Sequence, residues 1–285
     1  MKLGIDLGGS KIRFAVVQDN TINSINFDYP ANPTSSKDLS KRLYEAVSTL
    51  NILQFDLIAV GMAGGLQEGF KKIVFDALRD FSTQIFIFSD LQVVHFSFFE
   101  NSDGVVVISG TGSSIFGKLA NKSLFYGGLG FAISDVGSGF DIGKSYLSKG
   151  LSQMQLGKNS KETKLIEDYF KEVNVNTIIE KIYSGNVVKN IADFSAFVLK
   201  KDPQNPVVRK SSISLARETL KAIFKLGFES NVRIGLSGGV FEYSVYFRQT
   251  FLNILGKRIN VELAERKMPN EVAVLEMAHL EEEHV

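Results

Sequence analysis

The chain of 285 residues contains no cysteine. Disulfides, thiolate zinc sites and iron–sulfur clusters are therefore excluded. Histidine is scarce: three, scattered along the chain, argue against a histidine-built metal site. Neither sign of charge is in excess. Lys and Arg number 32 against 31 Asp and Glu, a formal net charge of +1 without a long basic run, so nucleic-acid binding has no electrostatic footprint. No apolar run is long enough to span a membrane, and the chain opens directly into a strand pattern with no apolar signal core. A soluble, cytoplasmic protein with no nucleic-acid or membrane partner is expected.

What the chain does have is glycine at two turns. In Gly104–Leu119 an apolar run, Val105 to Ile108, reads as a buried strand. Ser109-Gly110-Thr111-Gly112-Ser113-Ser114 follows, with no bulky side chain, and the chain turns apolar again at Ile115-Phe116. The same strand, glycine turn and strand stand at the N-terminus: Leu3-Gly4-Ile5-Asp6-Leu7, Gly8-Gly9-Ser10-Lys11, then Ile12 to Val17. Small residues at such turns let backbone N–H groups and hydroxyls approach a phosphate. Each turn alone could equally be an ordinary hairpin; the repetition favours phosphate. Asp6 adds a carboxylate where a hydrated Mg²⁺ needs one, and Ser10 and Lys11 add a hydroxyl and a cation. Neither a P-loop spacing nor a dinucleotide fingerprint is present, since a strand follows the glycines.

Between and beyond these hairpins, near-continuous apolar strands (Asp56–Ala63, Ile85–Phe88, Val232–Leu236) alternate with helical patterns, which indicates α/β layers. A strand is expected at Thr21–Phe27 and a helix through Leu39–Leu50, capped by Ser35 or Ser36. A short helix is expected around Ile73–Leu78. Tyr126–Gly143, with six glycines, reads as an irregular loop, followed by helices that include Gly143–Gly150, Val175–Tyr183 and Pro206–Leu226. The length suits two domains, 1–103 and 104–269, with a last helix in 270–285 that is a candidate to pack back on the first. Asp90, after the strand Ile85–Phe88, is either the N-cap of a helix or a reactive carboxylate.

Four pieces together carry a resemblance. They are Gly4–Lys11, Val106–Ser113, Gly127-Gly128-Leu129-Gly130-Phe131-Ala132-Ile133-Ser134-Asp135-Val136-Gly137-Ser138-Gly139, and Leu236-Ser237-Gly238-Gly239-Val240. In this order they resemble the actin/hexokinase/Hsp70 superfamily, and within it the N-acetylglucosamine kinase and BadF/BadG-type ATPase group. The resemblance implies two ribonuclease H-like α/β domains, each a mixed five-stranded sheet flanked by helices, with the nucleotide in the cleft between them. It implies an ATP- and Mg²⁺-dependent carbohydrate kinase acting on a hexose-type sugar such as N-acetylglucosamine, glucosamine or glucose, and allows for a homodimer.

Carried over by position, Asp6 would help hold Mg²⁺, and Gly8, Gly9, Ser10 and Lys11 would approach the β- and γ-phosphates. Gly110, Thr111, Gly112 and Ser113 would form the second phosphate loop, with Gly238 and Gly239 near adenosine. Asp90 would be the general base; Asn32, Gly128 and Asp135 would join it at the sugar. His95 is expected in the core. Leu129 stands where many members have Trp, and Val136 where many have Glu. The lost carboxylate makes a sugar acid such as 2-keto-3-deoxygluconate an alternative substrate, and a non-kinase ATPase switch a second alternative. The absence of cysteine excludes the family's cluster-bearing reductase activators and the zinc motif typical of ROK sugar kinases.

Overall fold

The computed structural model describes residues 1–8, 11–19, 21–27 and 39–282. The chain opens with the antiparallel strands β1 (Lys2–Leu7), β2 (Ile12–Gln18) and β3 (Thr21–Phe27). Helix α1 (Leu39–Ser48) buries Leu39, Leu43, Ala46 and Val47, one stripe at helical spacing. Strand β4 (Leu57–Met62) is buried at every residue, as a parallel strand covered on both faces should be. Helix α2 (Glu68–Leu78), strand β5 (Ile85–Ser89) and helix α3 (Asp90–Phe99) follow. The expected short helix thus starts earlier, at Glu68. The Ser35 or Ser36 cap lies outside the described residues.

The next run is β6 (Gly104–Ser109), β7 (Ser113–Leu119), β8 (Lys122–Gly127), α4 (Gly139–Gln155), α5 (Lys161–Phe170), α6 (Val175–Tyr183), α7 (Val187–Lys201) and α8 (Pro206–Leu226). After these come β9 (Asn231–Ser237), α9 (Gly239–Tyr243), α10 (Val245–Leu255), β10 (Asn260–Leu263) and finally α11 (Asn270–Glu282). Two differences from the sequence expectation stand out. β8 occupies the start of the stretch read as loop, and α4 begins at Gly139 rather than Gly143. The cause of the first is the link between β7 and β8, a two-residue turn at Ala120-Asn121 in which Ala120 takes a φ of 52°. Nothing in an Ala-Asn pair announces a hairpin as Asn-Gly would.

The chain forms two compact units, residues 1–102 with 265–285, and residues 103–264. In the first, the sheet order is β3-β2-β1-β4-β5. Alternate residues of β1 divide its two faces. Leu3, Ile5 and Leu7 pack under α1 and α2 with Leu43, Val74 and Leu78. On the other face α3 and α11 cover the sheet through Ala59, Val93, Ala273 and Val274. Gly4 and Asp6 belong to this second face by the alternation. In the second unit the order is β10-β9-β6-β7-β8, over one core that includes Val105, Val107, Tyr146, Phe194 and Phe247. Asn205 caps α8 by accepting from the Val207 N–H at 3.0 Å, and Pro206 occupies its first turn.

Candidate active site

In the first unit β1, β4 and β5 run parallel, so their carboxyl ends share one edge of the sheet, where open α/β sheets bind ligands. Asp6 lies opposite Gly61 of β4, and Gly61 opposite Phe88 of β5. Asp90 follows two residues on, as the first residue of α3. A Cβ on Gly61 would lie 2.9 Å from Val93 Cγ2, so the bare strand there lets α3 pack close. Asp6 and Asp90 are thereby brought to the same edge, near enough that the charge of Asp6 acts on Asp90.

Ser89, and not Asp90, is the N-cap of α3; Gln92 Oε1 accepts from the Ser89 N–H at 3.2 Å. The N-cap alternative for Asp90 is thus corrected. Its Oδ1 accepts from the Leu91 N–H at 2.9 Å and the Ser89 hydroxyl at 3.3 Å. Burial pushes the Asp90 carboxyl above the ordinary aspartate range, and the charge of Asp6 adds to this against those hydrogen bonds. A desolvated carboxylate that is undercompensated in this way is disposed to accept a proton.

Asp6 is 4% exposed. Across the hairpin it stands in register with Arg13, whose Nη1 donates to Oδ2 at 2.8 Å. Asn270 Nδ2 donates to the same oxygen at 3.4 Å. Burial raises the Asp6 carboxyl, and Arg13 only partly opposes the rise. Among the described residues both bonds fall on Oδ2, and Oδ1 is the oxygen that a cation would meet. Mg²⁺ needs one or two carboxylates beside phosphate oxygens and water, and Asp6 fits that demand. Among the described residues no group of three or more acids or histidines forms a metal cage. The Gly8 N–H donates to the Lys11 carbonyl at 2.9 Å and closes the turn; Lys11 is exposed. Gly9, Ser10 and Asn32 lie outside the described residues. His95 is buried, its ring 5.0 Å from that of Phe99.

In the second unit the turn Gly110–Gly112 joins β6 to β7. Parallel pairing of β6 with β9 sets this turn beside Gly238-Gly239 at the end of β9. Gly238 has a φ of 102°, and a Cβ there would lie 2.4 Å from the Ser109 carbonyl, so glycine is required. The start of α4 also meets the turn. The Gly139 N–H donates to the Gly110 carbonyl at 2.7 Å and the Phe140 N–H to the Thr111 carbonyl at 3.2 Å. Ser138 caps α4, accepting from the Asp141 N–H at 3.1 Å. The positive end of a helix of 17 residues therefore lies at the glycine turn, a favourable place for an anion. The Ser113 hydroxyl donates to the Val136 carbonyl at 2.8 Å. Asp135 is buried with a φ of 66°, and burial raises its carboxyl against a backbone hydrogen bond from Ser113. The Gly128 N–H donates to the Ser113 carbonyl at 3.1 Å, which places Gly128 by the same turn.

A family model for the BadF/BadG/BcrA/BcrD ATPase family matches residues 3–271. The chain belongs to this family. It is 29% identical over 275 residues to an N-acetylmuramic acid/N-acetylglucosamine kinase of Clostridium acetobutylicum, covering 89% of each chain. Among solved structures, a candidate N-acetylglucosamine kinase from Chromobacterium violaceum superposes with a TM-score of 0.79 at 14% identity, over 97% of this chain and 98% of that one. A second, from Porphyromonas gingivalis, gives 0.77 at 17% identity over the full length of both. The two mixed five-stranded sheets are thus the fold of these two structures.

Arg13, Arg266, Asn270 and Glu271 surround Asp6 without having been singled out from the sequence. Arg13 was legible in principle, because a tight hairpin puts it opposite Asp6. The other three carry no motif. A cavity of about 570 Å³ elsewhere in this unit is lined by Phe96, Met268, Val272 and Leu280 among others, and none of the expected site residues lines it.

Proposed function

We propose that this protein transfers the γ-phosphoryl group of ATP to a hydroxyl of a hexose-type sugar, with N-acetylated hexosamines as first candidates. The observation that carries this reading is the half-buried, desolvated Asp90 at the carboxyl edge of a parallel sheet, beside a second carboxylate and, among the described residues, without a cation paired to it. In that place Asp90 accepts the proton of the attacking sugar hydroxyl. The glycine turns Gly8–Lys11 and Gly110–Ser113 take the phosphates through backbone N–H groups, the second aided by the α4 N-terminus. Gly238 and Gly239 leave room for the adenosine. Asp6 would hold Mg²⁺, which when bound neutralises charge on the phosphates. Asp135, Gly128 and Asn32 orient the sugar. A cytoplasmic reaction, where ATP is supplied, is part of this reading.

The relationship to the Clostridium acetobutylicum kinase supports N-acetylglucosamine and N-acetylmuramic acid over other sugars. The test is coupled ADP release with ATP and a panel of N-acetylglucosamine, N-acetylmuramic acid, glucosamine, glucose and 2-keto-3-deoxygluconate. Sugar-stimulated ADP release with a sugar phosphate seen by mass spectrometry is expected. Slow hydrolysis indifferent to every sugar would instead identify an ATPase switch.

A further inference from the structure

The stretch between β10 and α11 reaches both elements that carry the two site carboxylates. Its Lys267 N–H donates to the Ser97 carbonyl of α3 at 2.8 Å, and Lys267 Nζ pairs with Glu100 at 2.9 Å. The Arg266 guanidinium lies 5.0 Å from the Phe98 ring centroid. Four residues on, α11 begins against β1. A Cβ on Gly4 would lie 1.9 Å from the Glu271 carbonyl oxygen, so only glycine lets this first turn rest on the strand. Asp6 is two residues beyond Gly4 on the same face.

Asn270 sits at the junction. Its Oδ1 accepts from Arg266 Nη1 at 3.2 Å, and its Nδ2 donates to Asp6 Oδ2 at 3.4 Å. An Asn at the start of a helix ordinarily turns its oxygen to the N–H groups of the first turn. Here the Pro269 carbonyl takes the Val272 and Ala273 N–H groups, at 3.2 and 2.9 Å. The Asn270 amide spans Arg266 and Asp6 instead, each end facing a partner of matching polarity.

We propose that Asn270 is a positioning residue for Asp6, held in place by Arg266, so that the segment 266–271 completes the nucleotide–metal end of the site. Arg13 and Asn270 together pin Oδ2 and fix the direction of Oδ1. Outer partners of this kind orient a metal-binding carboxylate, and their loss costs about 10- to 100-fold in metal affinity or activity. The inference rests on the kinase reading only in assigning Asp6 to the metal–nucleotide complex.

The experiment compares wild type with Asn270→Ala and Asn270→Ser. Mn²⁺ binding in the presence of a nonhydrolysable ATP analogue is read by electron paramagnetic resonance, beside kcat, sugar KM and Tm. Asn270→Ala is expected to weaken Mn²⁺ binding about tenfold and to lower kcat by a similar factor, with sugar KM and Tm nearly unchanged. Asn270→Ser, which keeps a donor, should fall between. Wild-type Mn²⁺ affinity in Asn270→Ala would overturn the inference, as would equal losses in both variants matched by a large fall in Tm. A wild type that binds Mn²⁺ and nucleotide but phosphorylates no sugar, with Asn270→Ala still weakened, would sink the kinase reading and uphold the role of Asn270.

Discussion

The carboxylate of Asp135 lies directly against Gly112: a Cβ on Gly112 would come within 2.9 Å of Oδ2. One residue that reads as a phosphate turn and one that reads as a substrate contact are thus in contact. Gly112→Ala should displace Asp135, lower sugar-dependent turnover and cost about 1 kcal/mol of stability. At Gly110 a Cβ meets no atom within 4 Å. Gly110→Ala should therefore melt like wild type and lose ATP affinity, since only an incoming phosphate would meet the methyl group. Calorimetric ATP binding with thermal melts of both variants checks this. Wild-type affinity in Gly110→Ala would mean that the turn serves only as a turn.

Asp90→Asn should reduce turnover by about a hundredfold or more, the usual range for a general base. Stability should not fall. The folded-state pKa of Asp90 is raised, so its contribution is fully present below the unfolded value of 3.8 and is lost as pH rises through the folded value. At pH 7 the amide removes that loss, and a chemical denaturation curve should show the variant at least as stable as wild type. Near-normal turnover would relegate Asp90 to the structure of the α3 start.

Acid stability in the second unit should depend on Glu162. Burial pushes its carboxyl up, but hydrogen bonds from Lys149 and Asn205 bring it down to about 2. The depressed value gives stability that is present above the unfolded value of 4.5 and lost as pH falls toward 2. Full protonation forfeits at most about 3 kcal/mol, the shift converted at 1.36 kcal/mol per unit, and less to the extent that water screens the half-exposed Lys149. Glu162→Gln should be less stable at pH 7 and flatter between pH 4.5 and 2, read from urea midpoints. A parallel slope in both proteins would exclude this linkage.

Gly4→Ala should be among the most damaging single methyl additions, costing about 3 kcal/mol or more, because the obstacle is the Glu271 backbone rather than a movable side chain. An unchanged Tm would show that α11 does not rest on β1 at this point.

The sequence alone determined the local pieces. Both hairpins, the buried β4, the strand β5, and the helices Val175–Tyr183 and Pro206–Leu226 were legible, because period, glycine and caps are properties of neighbouring residues, whereas the burial expected of Ile85–Phe88 is only partial because β5 is the edge strand of its sheet. The hairpin at Ala120 was not, because a non-glycine at positive φ leaves no mark in composition. Asp6 and Asp90 could be named as carboxylates at strand ends. That they share one edge was decided by the insertion of β4 between β1 and β5, a pairing across the sheet. Ser89 took the helix cap because Gln92 could reach back to it, which freed Asp90 from that role. The Asn270 contact to Asp6 is the extreme case: the two residues stand near opposite ends of the chain. Only the packing of α11 on the bare Gly4 brings them together, and close packing between distant segments leaves no periodic signal in either.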